Sequence, residues 1–172
     1  MRKAKVVLGQ TQFGRISVRR LRTTHMPGNA AIYIADPSLM GSRLFDRIES
    51  IQSYEDLSAG TSATGVRFTL AAGQVTMNFM PGHQVEQHLK GFAGFAQHVI
   101  TDRDQLIYVQ ARIHHVQLVC GCVITPDFDD DGAIEEFLFQ FTAATNGLLF
   151  LADTIFDHDG RSLGGRHAEQ SS

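Results

Sequence analysis

The chain has no tryptophan, only two cysteines and only four prolines. The cysteines, Cys120 and Cys122, lie two positions apart in an apolar run, so they are poorly placed to bridge each other if that run is extended. A secreted domain of this size often uses more cysteines. We therefore expect a reducing, cytoplasmic location and buried free thiols.

Long apolar segments are also missing. No stretch approaches the roughly 18 consecutive apolar residues of a membrane span. The basic start of the chain is similar to a signal peptide, but its apolar run is only Val6–Leu8. A signal sequence needs about 7–15 apolar residues at that point. We expect neither a signal peptide nor a membrane span.

Acidic residues are missing from the first 35 positions, which carry a charge of +7, whereas residues 36–172 carry −10, giving −3 for the chain. Residues 15–22 alternate partly between basic and apolar side chains, which favours an exposed edge strand or tail protected by its charge. Contact with the acidic body is a second interpretation. Nucleic-acid binding is a third, and is not favoured because Phe13 is the only aromatic residue nearby.

The composition that remains is that of an ordinary globular domain. Hydrophobic residues make up 43% of the chain and charged residues 19%, and 172 residues is close to the usual size of one domain. We divide the chain into a basic segment, 1–29, that is part of the domain or a loose arm, a single α+β domain, 30–160, and a flexible tail, 161–172.

Hydrophobic periodicity predicts the order β-α-β-β-α-α-β-α-β from residue 30 onwards. The predicted strands lie at 30–35, 66–70, 75–79, 118–124 and 148–152, and the predicted helices at 42–53, 83–100, 102–116 and 132–146. The strand at 118–124 is almost continuously apolar or small, which is typical of burial on both faces. The fold class is therefore α+β, with a mixed sheet of four or five strands and helices packed mainly on one face.

One acidic turn follows the strand at 118–124. Asp127, Asp129 and Asp131, with Gly132 after them, match the first half of a calcium loop, in which alternating carboxylates converge on one hard cation. Position 12 of such a loop should be glutamate, and here it is Leu138. Acids before a helix also cap its N-terminus. Helix capping is the favoured interpretation, and a divalent cation is the alternative.

A second acidic turn contains Asp153, Asp157 and Asp159. If the two preceding strands are parallel neighbours, both acidic turns meet at the carboxyl edge of the sheet, where ligands of α/β sheets bind. This edge is the basis for an alternative function as a cation-dependent enzyme or small-ligand binder. Asp130, Glu135, Asp157 and Asp159 are the candidate partner-binding acids.

Other chemical motifs are weak or missing. His114 and His115 precede the two cysteines, but adjacent histidines on a helix point in different directions, so zinc is not favoured. The sequence contains no P-loop or H-E-x-x-H motif. We assign no catalytic residue and no cofactor.

Three stretches, at 80–92, 119–129 and 146–150, resemble uncharacterised bacterial hypothetical proteins that have no assigned activity. Small bacterial domains of this kind are often accessory or immunity proteins. Together with the acidic body, which would steer a basic partner towards it, the resemblance implies a non-enzymatic protein-binding domain. An immunity or antitoxin-like protein that neutralises a cognate toxin is its most concrete form. A homodimer is left open.

Overall fold

One antiparallel sheet of eight strands organises the fold, in the order β2-β3-β4-β5-β1-β6-β7-β8. This computed structural model describes residues 30–125 and 132–166. The strands are β1 (Ala30–Ile34), β2 (Ile51–Ala59), β3 (Ser62–Leu70), β4 (Gly73–Phe79), β5 (Leu118–Thr125), β6 (Leu148–Leu151), β7 (Thr154–Phe156) and β8 (Ser162–Gly165). The helices are α1 (Ser42–Phe45), α2 (Gly82–Val99), α3 (Arg103–His114) and α4 (Ala133–Ala144), and a 3-10 turn lies at Pro37–Leu39.

The prediction of a mixed sheet of four or five strands was wrong. The fold is α+β, but the residues that the structure describes form eight strands, and all neighbouring strands pair antiparallel. Three strands lacked the expected signals: β2 is exposed along most of its length, β7 has three residues, and β8 contains two glycines. The helix predicted at 42–53 ends at Phe45, and β2 begins inside that range.

The prediction that helices pack mainly on one face was also wrong. On the first face, α1 and α4 cover the sheet through a core that includes Phe45, Phe68, Phe137 and Phe141. On the second face, α2 and α3 form another core with β1 and β6–β8. Val119, near the start of β5, also belongs to this core, whereas no described residue of β2–β4 does. Val123, further along β5, is 55% exposed, so β5 is not buried on both faces along its whole length.

Strands β5 and β6 are parallel to each other, but they are not neighbours. Both pair antiparallel with β1, which lies between them, so the connection through α4 passes over one strand. The C-terminal ends of β5 and β6 therefore lie on the same side of the sheet, beside the start of β1. Strand β7 runs back from that side, since Thr154 pairs with Leu151 and Phe156 with Leu149. Asp157 and Asp159, which follow β7, consequently lie at the other ends of the strands, away from the C-terminal end of β5.

Several local predictions agree with the structure. The hairpin predicted between the strands at 66–70 and 75–79 joins β3 to β4, with Phe68 opposite Val75. Asp102 caps α3 by accepting a hydrogen bond from the backbone N–H of Gln105 at 2.7 Å. Among the described residues, no helix combines the length and apolar character needed to cross a bilayer.

Residues 162–165, which the sequence predicts within a flexible tail, form β8 and pack tightly. Leu163 is 2% exposed. A Cβ atom at Gly164 would lie 2.5 Å from Cγ1 of Ile100, just beyond the end of α2. At Gly165, φ is +120° and a Cβ would overlap the carbonyl oxygen of Asp153. Glycine is therefore required at both positions, because a side chain would overlap Ile100 or Asp153.

We expect Gly164→Ala to lower the free energy of unfolding by about 1–3 kcal/mol, because the added methyl overpacks the contact between β8 and Ile100. Urea denaturation measures this change. Gly94→Ala is the matched control, since a Cβ at Gly94 of α2 meets nothing within 4 Å and alanine is the better helix former. Equal stability of Gly164→Ala and the wild type would contradict the packing of β8.

Candidate functional site

The three carboxylates predicted to hold a cation, Asp127, Asp129 and Asp131, lie outside the described residues, as does Asp130. Helix capping by these residues, the favoured interpretation, and cation binding, the alternative, therefore both stay predictions. Helix α4 begins after Gly132, whose φ of +71° is left-handed. Within 30–125 and 132–166, no three or more His, Cys, Asp or Glu side chains come together as a metal site would require.

Asp157, predicted to face a partner, is instead 2% exposed and bonded within the protein. The hydroxyl of Tyr108 donates to its Oδ2 at 2.8 Å. The backbone N–H of His158 donates to Oδ1 at 2.9 Å, and the Nδ1 atom of that ring lies at the same distance. Nη2 of Arg161 lies 3.3 Å from Oδ2. The carboxylate thus joins the β7–β8 turn to α3.

Arg112 extends this network to the end of α4. Its Nη1 donates to the hydroxyl of Tyr108 at 3.3 Å, and the guanidinium lies 5.8 Å from the centre of that ring. Its Nη2 donates to the carbonyl oxygens of Asn146 and Gly147, the latter at 3.2 Å. These carbonyls follow α4, where a cation is favoured by the helix dipole. The network therefore connects three parts of the fold.

Opposing effects act on the pKa of Asp157. Burial alone would raise it, but hydrogen bonds from His158 and Tyr108 stabilise the charged form and hold the pKa below its usual value. The pKa of Tyr108 is raised, first by burial and then by its hydrogen bond to Asp157. The pair is therefore a carboxylate and a protonated phenol at neutral pH.

We expect Asp157→Asn to lower the free energy of unfolding at pH 7 by about 1–3 kcal/mol, because hydrogen bonds to a buried charge are lost. Since folding lowers this pKa, the stabilisation is complete above the unfolded-state value of about 3.9 and is lost as the pH falls through the folded-state value. Denaturation of both proteins from pH 7 to pH 3 should show the difference shrinking in acid.

Asp159→Asn is the matched control for that series. Asp159 is exposed, and its Oδ1 accepts from the backbone N–H of Arg161 at 2.9 Å, a bond that an amide oxygen can also accept. We expect this variant to stay within about 0.5 kcal/mol of the wild type. A difference between Asp157→Asn and the wild type that stayed constant down to pH 3 would contradict the role given to the Asp157 charge.

The remaining acids predicted to form one site are separated. Glu135 is half-buried in the first turn of α4, where a negative charge suits the helix dipole. Asp153 is exposed in the β6–β7 turn, 3.7 Å from Arg166. That turn lies at the same edge as the end of β5, whereas Asp157 and Asp159 lie at the other edge.

The histidine and cysteine pairs also point to structural roles. His114 and His115 are exposed at the end of α3, with ring centres 5.6 Å apart. Cys120 and Cys122 are free thiols in the first-face core. Burial raises the pKa of Cys120 to about 12 and also raises that of Cys122. Both thiols are therefore protonated and unreactive at neutral pH.

The edge strand β2 and the groove beside it were not predicted from the sequence. Within the described residues, β2 pairs only with β3, so one side of its nine-residue backbone has no strand neighbour. A two-residue turn, Gly60-Thr61, joins the two strands, and Gly60 has a φ of +64°. A glycine in a two-residue turn is typical of hairpins. This glycine is the sequence feature from which the β2–β3 hairpin could have been predicted.

A groove of about 380 Å³ lies between β2, β3 and the start of α1. Its floor is apolar and is formed by Met40, Phe45, Leu57, Ala63, Val66 and Phe79. Polar residues line its rim: Ser42, Asp56, Ser58 and Thr61. Tyr54, which is 38% exposed and packs against Phe45, continues the apolar surface along β2. An unpaired strand edge thus adjoins an apolar pocket.

The charge around the groove is negative. Segment 36–59, which supplies α1 and β2, contains two arginines, Arg43 and Arg47, and five acids: Asp36, Asp46, Glu49, Glu55 and Asp56. Glu55 pairs with Arg67 of β3 at 2.9 Å. Asp56, next to it on β2, points to the other face and lines the groove.

No family model, curated protein or solved structure matches this chain. The resemblance to bacterial hypothetical proteins consequently stays a prediction, as does the alternative function based on the acidic turns.

Proposed function

We propose that this domain binds another protein by accepting an extended segment of that partner along β2. The observation that carries the proposal is the long edge strand, which offers backbone N–H and C=O groups on its outer side. An extended segment pairs with such an edge through main-chain hydrogen bonds, which supply affinity without depending on sequence.

The groove supplies the specificity that main-chain pairing lacks. Alternate side chains of an extended segment point to the same face, about 6.5–7 Å apart. A side chain directed to the first face would pack beside Tyr54 and Asp56 of β2, at the side of the groove. Burial of a Val or Leu side chain there would contribute about 1.5–3 kcal/mol. The partner segment should therefore carry aliphatic residues at alternate positions.

The charge of the groove selects a basic partner. Asp56 lines the groove, and the surrounding segment 36–59 has three more acids than bases. Complementary charge increases the rate of association and disfavours acidic competitors. Neutralisation of a basic cognate toxin, as in an immunity protein, is one form of this proposal, and the acidic charge of residues 36–172 supports it.

A designed peptide tests the proposal directly. We expect the full-length protein to bind acetyl-Arg-Val-Arg-Val-Arg-Val-amide, with NMR shift changes concentrated on the amides of β2 and on the groove. Asp56→Lys should weaken this binding about tenfold, which corresponds to about 1.4 kcal/mol. Asp104→Lys is the control, because Asp104 is an equally exposed acid on α3, remote from β2 in the fold.

Two results would overturn the proposal. Equal binding of the glutamate counterpart, acetyl-Glu-Val-Glu-Val-Glu-Val-amide, would show that charge does not select the partner. Tighter binding of the arginine peptide after Arg19, Arg20 and Arg22 are changed to glutamine in the full chain would show that the chain's own basic segment competes for the edge.

A further inference from the structure

A second cleft lies on the other face of the sheet, between α2 and strands β1 and β6. Its volume is about 330 Å³, at the small end of the range for small-molecule sites, about 300–1,000 Å³. It is lined by one helical glycine, Gly91, and by Tyr33, Gln87, His88, Phe92, Phe95 and Phe150. None of these residues belongs to the groove beside β2.

The walls of the cleft are aromatic and are held by the second-face core. The rings of Tyr33 and Phe92 stack at 4.0 Å and are nearly parallel, and these residues are 3% and 7% exposed. Phe95 and Phe150 meet edge to face at 5.4 Å and are half-buried, so both rings reach the cleft surface. Such walls present both the faces and the edges of aromatic rings to a planar ligand.

One polar pair lies within this aromatic surface. The hydroxyl of Tyr33 is 3.1 Å from Nε2 of His88. Burial raises the pKa of Tyr33, so its phenol stays protonated. The phenol oxygen, the imidazole and the exposed amide of Gln87 together provide donors and acceptors, and none of the described side chains that line the cleft carries a fixed charge.

Gly91 keeps the mouth of the cleft open. A Cβ at this position would meet nothing within 4 Å, so packing does not require glycine there. Glycine inside a helix lowers its stability relative to alanine. A side chain at Gly91 would project into the space that the cleft occupies. Gly91 therefore lowers the stability of α2 at a position where a side chain would restrict access to the cleft.

We propose that this cleft binds a small planar aromatic molecule that carries a hydroxyl group. The ring contacts Phe95 and Phe150, and the hydroxyl hydrogen-bonds to the Tyr33–His88 pair. A hydroxyl both donates and accepts, as the mixed polar groups require. A charged ligand would lose hydration without gaining an oppositely charged partner, which is unfavourable.

The probe for this site is 4-methylphenol, titrated into the full-length protein and followed by NMR. We expect shift changes at α2, Tyr33 and Phe150. Gly91→Leu should weaken binding at least tenfold by filling the mouth of the cleft. Gly94→Leu is the matched control, because Gly94 lies on the same helix, also has open space around it, and does not line the cleft. We expect its affinity to stay within twofold.

Toluene and benzoate test the part of the proposal that concerns the hydroxyl. Loss of one hydrogen bond of about 1 kcal/mol predicts that toluene binds about fivefold more weakly, and benzoate should bind more weakly still. Equal binding of toluene, equal effects of the two glycine variants, or no binding of 4-methylphenol at millimolar concentration would overturn the proposal. Asp56→Lys should leave 4-methylphenol binding unchanged, which separates this site from the β2 edge.

Discussion

The fold depends on the burial of β1 on both of its faces. Ile32 and Ile34 are fully buried in the first-face core, and Tyr33 between them is 3% exposed in the second. Because β1 pairs with β5 on one side and β6 on the other, all its main-chain groups can be satisfied within the sheet. Helices must then cover both faces, and this requirement fixes the three-layer arrangement around the centre of the sheet.

The same constraint explains where the protein leaves surface open. Helices α2 and α3 lie over the second face at β1, at β6–β8 and at the start of β5, and no described residue of β2–β4 belongs to the core that they form. On the first face α1 has only four residues, and it leaves a groove where it meets β2 and β3. The groove beside β2 is therefore a consequence of the short helix α1, which covers the outer strands of the sheet incompletely.

The sequence predicted those elements whose side chains show a strong pattern of burial. Phe68, Val75 and Met77 alternate with polar residues and gave the β3–β4 hairpin, and Phe137 and Phe141 gave α4. Strand β2 could not be predicted in this way, because Gln52–Asp56 are all exposed and pair with β3 chiefly through the backbone. Strand β8 was missed because its two glycines are required by contacts with Ile100 and Asp153, which the hydrophobic pattern of the sequence does not show.

Among the acidic candidates, Asp157 shows how a residue in an apparently exposed turn can be bonded within the protein. Asp157 stands in an Asp-x-Asp-Gly turn that is typical of an exposed loop, yet its carboxylate is surrounded by Tyr108, His158 and Arg161. A charge that is already bonded on several sides gains little from a partner, because its hydrogen-bonding capacity is satisfied. The surfaces that can still bind a ligand or partner are less polar: a strand edge above an apolar groove, and a cleft of aromatic rings with one phenol–imidazole pair. Recognition by such surfaces depends on which residues the sheet brings together, and that depends on pairings such as Tyr33 with Leu148, more than a hundred residues apart in the chain.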